Sequence, residues 1–157
     1  MTGSTGLAPK RSIELRRTYP ATLERVFSAW TQPELLKEWW GVADGYTTPL
    51  VEIDLKIGGR YRFGMLPPGQ DDLIVISGEY RAIEPPERLV FTWAIESETG
   101  SGEASTITLR FLDRGASTEL VLKHEYAGPA ALSDEFRAGW EGMLARLRAR
   151  IGSPGEI

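Results

Sequence analysis

Apolar and polar positions first alternate with a period of two. Ile13, Leu15, Arg17 and Tyr19 are interleaved with Glu14, Arg16 and Thr18, which predicts a half-buried strand over residues 12–19, closed by Pro20. The spacing then lengthens. Leu23, Val26, Phe27 and Trp30 fall on one face of a helix over residues 22–30. Pro33 suits the first position of a second short helix carrying Leu35, Leu36, Trp39 and Trp40, with Gly41 at its end. Because Pro33 disfavours a helical Gln32, the two helices are expected to form a V. Beyond Val42 the period of two returns. Val51, Ile53, Leu55 and Ile57 alternate with Glu52, Asp54 and Lys56; Gly58-Gly59 turns the chain, and Tyr61, Phe63 and Met65 form the return strand of a hairpin. After a polar loop at residues 67–72, a strand spans 73–83, in which Gly78 is expected to mark a bulge. A corner at Glu84-Pro85-Pro86-Glu87 leads to Leu89, Phe91, Trp93 and Ile95 on one face. A polar loop over 96–104 follows. Ile107, Leu109 and Phe111 make the next strand, Asp113-Arg114-Gly115 turns it, and Leu120, Leu122 and His124 share a face of the last.

The final element reads as a helix from Ser133 to Ile151. At 100° per residue, Phe136, Trp140, Met143, Leu144, Leu147 and Ile151 form one apolar stripe. Ser133 is the expected N-cap. Asp134 and Glu135 suit the positive end of the helix dipole, and Arg146, Arg148 and Arg150 the negative end. Gly139 borders the stripe, where it is expected to let the helix approach the sheet closely. Hairpin-length connections make the strand run antiparallel, and a sheet apolar on one face closes around a helix apolar on one stripe. The expected fold class is therefore α+β, a helix-grip arrangement: a curved antiparallel sheet of about seven strands around a long C-terminal helix, with two short helices after the first strand. Residues 1–11 are expected to be a disordered leader, 12–152 a single domain and 153–157 a flexible tail.

Five ordered stretches resemble a known family: RTYPATLERVFSAWTQPELLKEWW from Arg17, IGGRYRF from Ile57, IEPPERLVFTW from Ile83, LKHEY from Leu122 and GWEGMLARL from Gly139. They are similar to the START/Bet v 1-like (SRPBCC) superfamily, and within it to the Hsp90 ATPase activator homologue (AHSA1-like) group. The resemblance spans about residues 13–151. Gln32 departs from it, since family members often carry Asp before the proline. The resemblance implies the helix-grip fold and a cavity between sheet and helix. It leaves activity open, because relatives include lipid carriers, polyketide cyclases, hydroxylase ligand domains and co-chaperones. Relatives with co-chaperone activity carry a further N-terminal domain with no counterpart in these 157 residues, which ranks that reading second.

Composition narrows the chemistry. A net charge of −4 and a pI near 5.1 argue against nucleic acid or an anionic membrane as partner. With no cysteine, disulfides, zinc–thiolate sites and cysteine nucleophiles are excluded. No apolar run approaches the ~20 residues that span a bilayer, so a cytoplasmic location is expected, without membrane insertion. The single histidine, His124, rules out three-histidine zinc and two-histidine iron sites, and no strained GxSxG elbow accompanies any serine. No metal, cofactor or catalytic set is expected.

His124 has three readings. It is a buried imidazole satisfied by a backbone carbonyl, a polar handle at a cavity rim, or a general acid–base group. Trp39 and Trp40, adjacent on a helix, point about 100° apart, so one is expected in the core and the other over the cavity mouth. Tyr61, Phe63, Met65, Phe91 and Trp93 on the sheet, with Trp140 and Met143 on the helix, are core by default and cavity lining by resemblance. Tyr80 joins His124 as a candidate rim group. Glu52 and Asp54 lie on the polar face, and Gly58-Gly59 is a hairpin turn with no phosphate-loop pattern. The leading expectation is a non-enzymatic cavity that binds a small hydrophobic or amphipathic molecule. The alternatives are a protein-interaction module with a chaperone partner and a cyclase-type enzyme assisted by His124. A monomer or homodimer is expected.

Overall fold

The computed structural model describes residues 10–97, 100, 101 and 105–151. Strand β1 (Lys10–Tyr19) leads into two short helices, α1 (Leu23–Thr31) and α2 (Pro33–Trp39). Seven further strands follow: β2 (Thr47–Ile53), β3 (Arg60–Leu66), β4 (Ile74–Glu84), β5 (Arg88–Ser97), the two-residue β6 (Gly100–Ser101), β7 (Ser105–Asp113) and β8 (Thr118–Ala127). Helix α3 (Ala131–Ile151) ends the described chain. The sheet runs β1-β8-β7-β5-β4-β3-β2, antiparallel throughout, with β6 pairing β5. This is the expected helix grip. The expected tail and most of the expected leader lie outside the described residues, but Lys10 and Arg11, expected in the leader, already pair with Ala127 and Tyr126.

Alternation along each strand sends one set of side chains under α3. Ile13, Leu15, Phe63, Ile76, Leu89, Phe91, Ile107, Leu109, Leu120 and Leu122 are all buried there. From the helix, Trp140, Met143, Leu144, Leu147 and Ile151 are buried against them, while Phe136 is half-buried. At roughly 1.5–3 kcal/mol for each large side chain fully buried, this stripe outweighs the ~1 kcal/mol that each of two helical glycines costs. The Tyr19 hydroxyl donates to the Leu144 carbonyl (3.1 Å), which ties β1 to the middle of α3. The Thr22 hydroxyl caps α1 by accepting from the Arg25 amide (3.3 Å).

Several boundaries differ from the sequence reading, each for a local reason. β2 stops at Ile53, which pairs with Tyr61, so Leu55 and Ile57 belong to the connection and are 43% and 69% exposed. The connection is longer than a Gly-Gly turn because its backbone pairs with β4: the Gly58 amide donates to the Tyr80 carbonyl, and the Tyr80 amide to the Gly59 carbonyl. The expected 96–104 loop contains β6. The bulge in β4 falls between Tyr80 and Ala82 and not at Gly78. Gly78 instead answers a close approach, since a Cβ there would lie 1.9 Å from the Thr92 carbonyl oxygen. α3 begins at Ala131, so Ser133 sits inside the first turn, and its hydroxyl bonds to that of Tyr126 instead of capping. Gly139 has room, its nearest neighbour for a Cβ being a Val42 methyl at 3.9 Å. The tight contact is at Gly142, where a Cβ would meet the Val42 carbonyl oxygen at 2.0 Å.

Candidate functional site

The first half of α3 does not close fully onto the sheet. Between them lies a partly open cavity of about 200 Å³. The helix contributes Glu135, Phe136, Gly139, Trp140 and Met143. The sheet contributes Met65 from β3, Ile74 and Ile76 from β4, and Trp93 and Ile95 from β5; Trp40 and Val42, just past α2, complete the wall. Glu135, exposed, is the sole ionisable side chain among these lining residues. A cavity of about 150 Å³ holds benzene, so this one suits a one- or two-ring molecule, and it falls below the ~300 Å³ at which drug-sized ligands begin to fit.

Aromatic contacts fix the walls. Trp40 meets Phe63 edge-on (centroids 4.8 Å apart) and Trp140 at 6.2 Å; Trp93 meets Phe136 at 5.5 Å. Such pairs contribute about 0.5–1.5 kcal/mol each beyond their buried area, so these rings hold their places and do not collapse inward. Behind the wall, Trp30 packs on Trp39 at 4.7 Å.

The polar groups around the cavity divide sharply. The Trp140 indole N–H donates to His124 Nδ1 (3.0 Å). With Nδ1 accepting, the neutral ring carries its proton on Nε2 and donates to the Ser105 hydroxyl (2.7 Å), which donates onward to the Trp93 carbonyl (3.0 Å). Every member of this chain is satisfied, and burial lowers the His124 pKa to about 4. The indole N–H of Trp40 differs. It is buried without an acceptor, as is that of Trp30, which does not line the cavity. A buried donor left unpaired costs about 1–3 kcal/mol.

A sequence profile of the Activator of Hsp90 ATPase homolog 1-like proteins matches residues 20–152. The chain belongs to this family. The AHSA1-like chain is 26% identical over 133 residues to the human activator of 90 kDa heat shock protein ATPase homolog 1; the match covers 85% of this chain and 34% of that protein. It therefore spans about a third of the length of the curated relatives it matches. Among solved structures, protein CV1439 from Chromobacterium violaceum superposes with a TM-score of 0.77 at 23% identity, covering 91% of this chain and 99% of that one. CalU16 from Micromonospora echinospora gives 0.67 at 29% identity, with 93% and 78% covered. The AHSA1 protein from Silicibacter pomeroyi gives 0.77 at 24% identity, with 89% and 96% covered.

Within the AHSA1-like domain, the structure brings Trp40, Met65, Trp93, Trp140 and Met143 of the sequence-derived candidates onto the cavity. Tyr61, Phe63, Tyr80 and Phe91 form an adjoining buried layer, with Tyr61 in ring contact with the other three. Tyr61 donates its hydroxyl to the Thr92 carbonyl (2.6 Å), and burial raises the pKa of both tyrosines. Trp39 lies behind the wall, its indole N–H donating to the Ala29 carbonyl (2.8 Å). Both tryptophans of the pair are 1% exposed, contrary to the expectation that only one enters the core. The reason is local: α2 ends at Trp39, and Trp40 has extended backbone angles (φ −62°, ψ 124°), so the 100° helical offset does not apply. His124 and Tyr80 are not at a rim, being 0% and 2% exposed. His124 is satisfied by side chains and not by a backbone carbonyl. The sequence reading missed Val42, Ile74, Ile76, Ile95, Glu135, Phe136 and Gly139 as lining, and Ser105 as the His124 partner. Ser105 was within reach of it, lying two positions before Ile107 on the inward parity.

Proposed function

We propose that this AHSA1-like domain binds a small, largely apolar molecule in the cavity between α3 and the sheet. The observation that carries the reading is the cavity itself: about 200 Å³, walled by aromatic, aliphatic and methionine side chains, with one carboxylate among the lining groups. Trp40, Met65, Trp93, Trp140 and Met143 are assigned to direct contact. Trp39, Tyr61, Phe63, Tyr80, Phe91 and His124 hold them in place. Its volume favours one or two rings over the sterols and long acyl chains carried by larger pockets. We further propose a cytoplasmic monomer or homodimer without metal, cofactor or nucleic-acid partner. His124 supports binding and not catalysis, because both ring nitrogens are engaged and no solvent reaches it.

The test is titration with indane and naphthalene, followed by tryptophan fluorescence and by melting temperature. Trp40, Trp93 and Trp140 border the site, so saturable quenching is expected, with stabilisation of ~2.7 kcal/mol at a hundredfold excess over Kd. If neither probe moves either signal, the cavity reading fails. A second reading is favoured by the relatives named as activators of the 90 kDa heat shock protein ATPase. On that reading the purified chaperone binds this chain and hydrolyses ATP faster in its presence; an unchanged rate with no complex on gel filtration would reject it.

A further inference from the structure

Resting on the cavity reading above, we infer that the ligand is a small aromatic amine, held with its ring in the cavity and its ammonium group at the mouth beside Glu135. Burial gives the cavity a direction. Trp40, Met65, Trp140 and Met143, all buried, make its floor, while Ile95 and Glu135, both exposed, mark its mouth. A ring therefore enters first. Any charged group it carries stays at the mouth, where it keeps part of its hydration and avoids the cost of burying a charge. Size sets the scale, a one- or two-ring body filling about 200 Å³.

Glu135 is placed to meet that charge. α3 begins at Ala131, which puts Glu135 in the second turn, beyond the first-turn reach of the helix dipole that its sequence position suggested. No hydrogen bond or ion pair joins it to another described residue. Four positions before Gly139, it stands on the cavity side of the helix. Arg137, the nearest cation along α3, is exposed, does not line the cavity and lies about 200° round the helix from Glu135. An ammonium at the mouth donates a charge-assisted hydrogen bond to the Glu135 carboxylate. A ligand carboxylate would instead face a like charge, with no Lys, Arg or His among the lining residues to offset it.

The experiment uses the whole chain, calorimetric titration at low ionic strength, and four compounds built on one ring system: 2-aminoindane, 2-indanol, indane-2-carboxylate and indane. The amine, cationic at neutral pH, should bind about three- to fivefold more tightly than 2-indanol, with the carboxylate weakest of the four. Glu135→Gln should bring 2-aminoindane level with 2-indanol, and Glu135→Lys should reverse the order of amine and carboxylate. Glu141→Gln, at an exposed position on α3 that does not line the cavity, separates the site from the overall charge of −4 and should keep the wild-type order. If 2-aminoindane and 2-indanol bind the wild type equally, or Glu141→Gln erases the preference as fully as Glu135→Gln, the inference is overturned while indane binding still upholds the cavity reading. If none of the four binds, both fall together.

Discussion

His124 shows how one buried side chain gives the fold a pH dependence. Its ordinary pKa of 6.5 is lowered to about 4 by burial, so the folded protein refuses a proton that the unfolded chain accepts. The stability held by the neutral ring is complete above pH 6.5 and is lost as pH falls toward 4, about 3 kcal/mol over that window. Urea unfolding of wild type and His124→Phe across this range should show a steeper loss of stability with falling pH in the first than in the second, since carboxylates such as Glu96, whose pKa is also lowered, titrate in both. Equal slopes would mean the ring titrates normally. The two glycines of α3 make a second comparison at this scale. Gly142→Ala places a methyl on the Val42 carbonyl and is expected to destabilise by about 1–3 kcal/mol. Gly139→Ala, with open space, should gain up to about 1 kcal/mol of helix propensity. Equal effects of the two substitutions would contradict the observed packing.

At the scale of elements, α3 is fastened at more than its apolar stripe. Arg146, which the sequence offered as a complement to the helix dipole or part of an anion site with Arg150, donates to the carbonyls of Trp39 (3.1 Å), Ala43 (3.0 Å) and Tyr46 (3.4 Å). One guanidinium thus holds the α2–β2 connection that carries Trp40 and Val42 to the cavity. A lysine cannot reproduce that fork. Arg146→Lys should cost about 1–3 kcal/mol and speed amide exchange selectively over residues 41–46. Exchange that rises evenly along the chain would place the effect elsewhere. The Trp140–His124 bond similarly joins α3 to β8. Trp140→Ala removes that donor along with a large buried ring, and a loss of about 3–5 kcal/mol in chemical denaturation is expected. A loss under 1 kcal/mol would mean that α3 does not pack as described.

Across the whole molecule, the element order, the antiparallel sheet and the inward stripe were legible because each is written in periodicity, and periodicity reports burial directly. What periodicity cannot report is where a strand stops. Leu55 and Ile57 continue the alternation of β2, yet the backbone has already turned to pair with β4. The expected split of Trp39 and Trp40 between core and mouth failed for a related reason: a helical offset was applied one residue past the end of the helix. Five cavity residues were legible as inward aromatic or methionine positions. Val42 and Glu135 were not, since their place depends on how the V of α1 and α2 is set against α3. The role of Arg146 was hidden because its partners are backbone carbonyls about a hundred residues away, which carry no sequence signal.

Gly139 reports on the proposed binding site, the space between α3 and the sheet. This glycine lines the cavity, and a side chain built there meets nothing closer than 3.9 Å at its first carbon. Gly139→Leu should therefore fill the cavity while improving the helix by about 1 kcal/mol, holding or raising the melting temperature by about 2–4 °C. Calorimetric titration of this variant with indane should show affinity reduced at least tenfold against wild type. A folded Gly139→Leu protein that binds indane as tightly as the wild type would place the ligand outside that space.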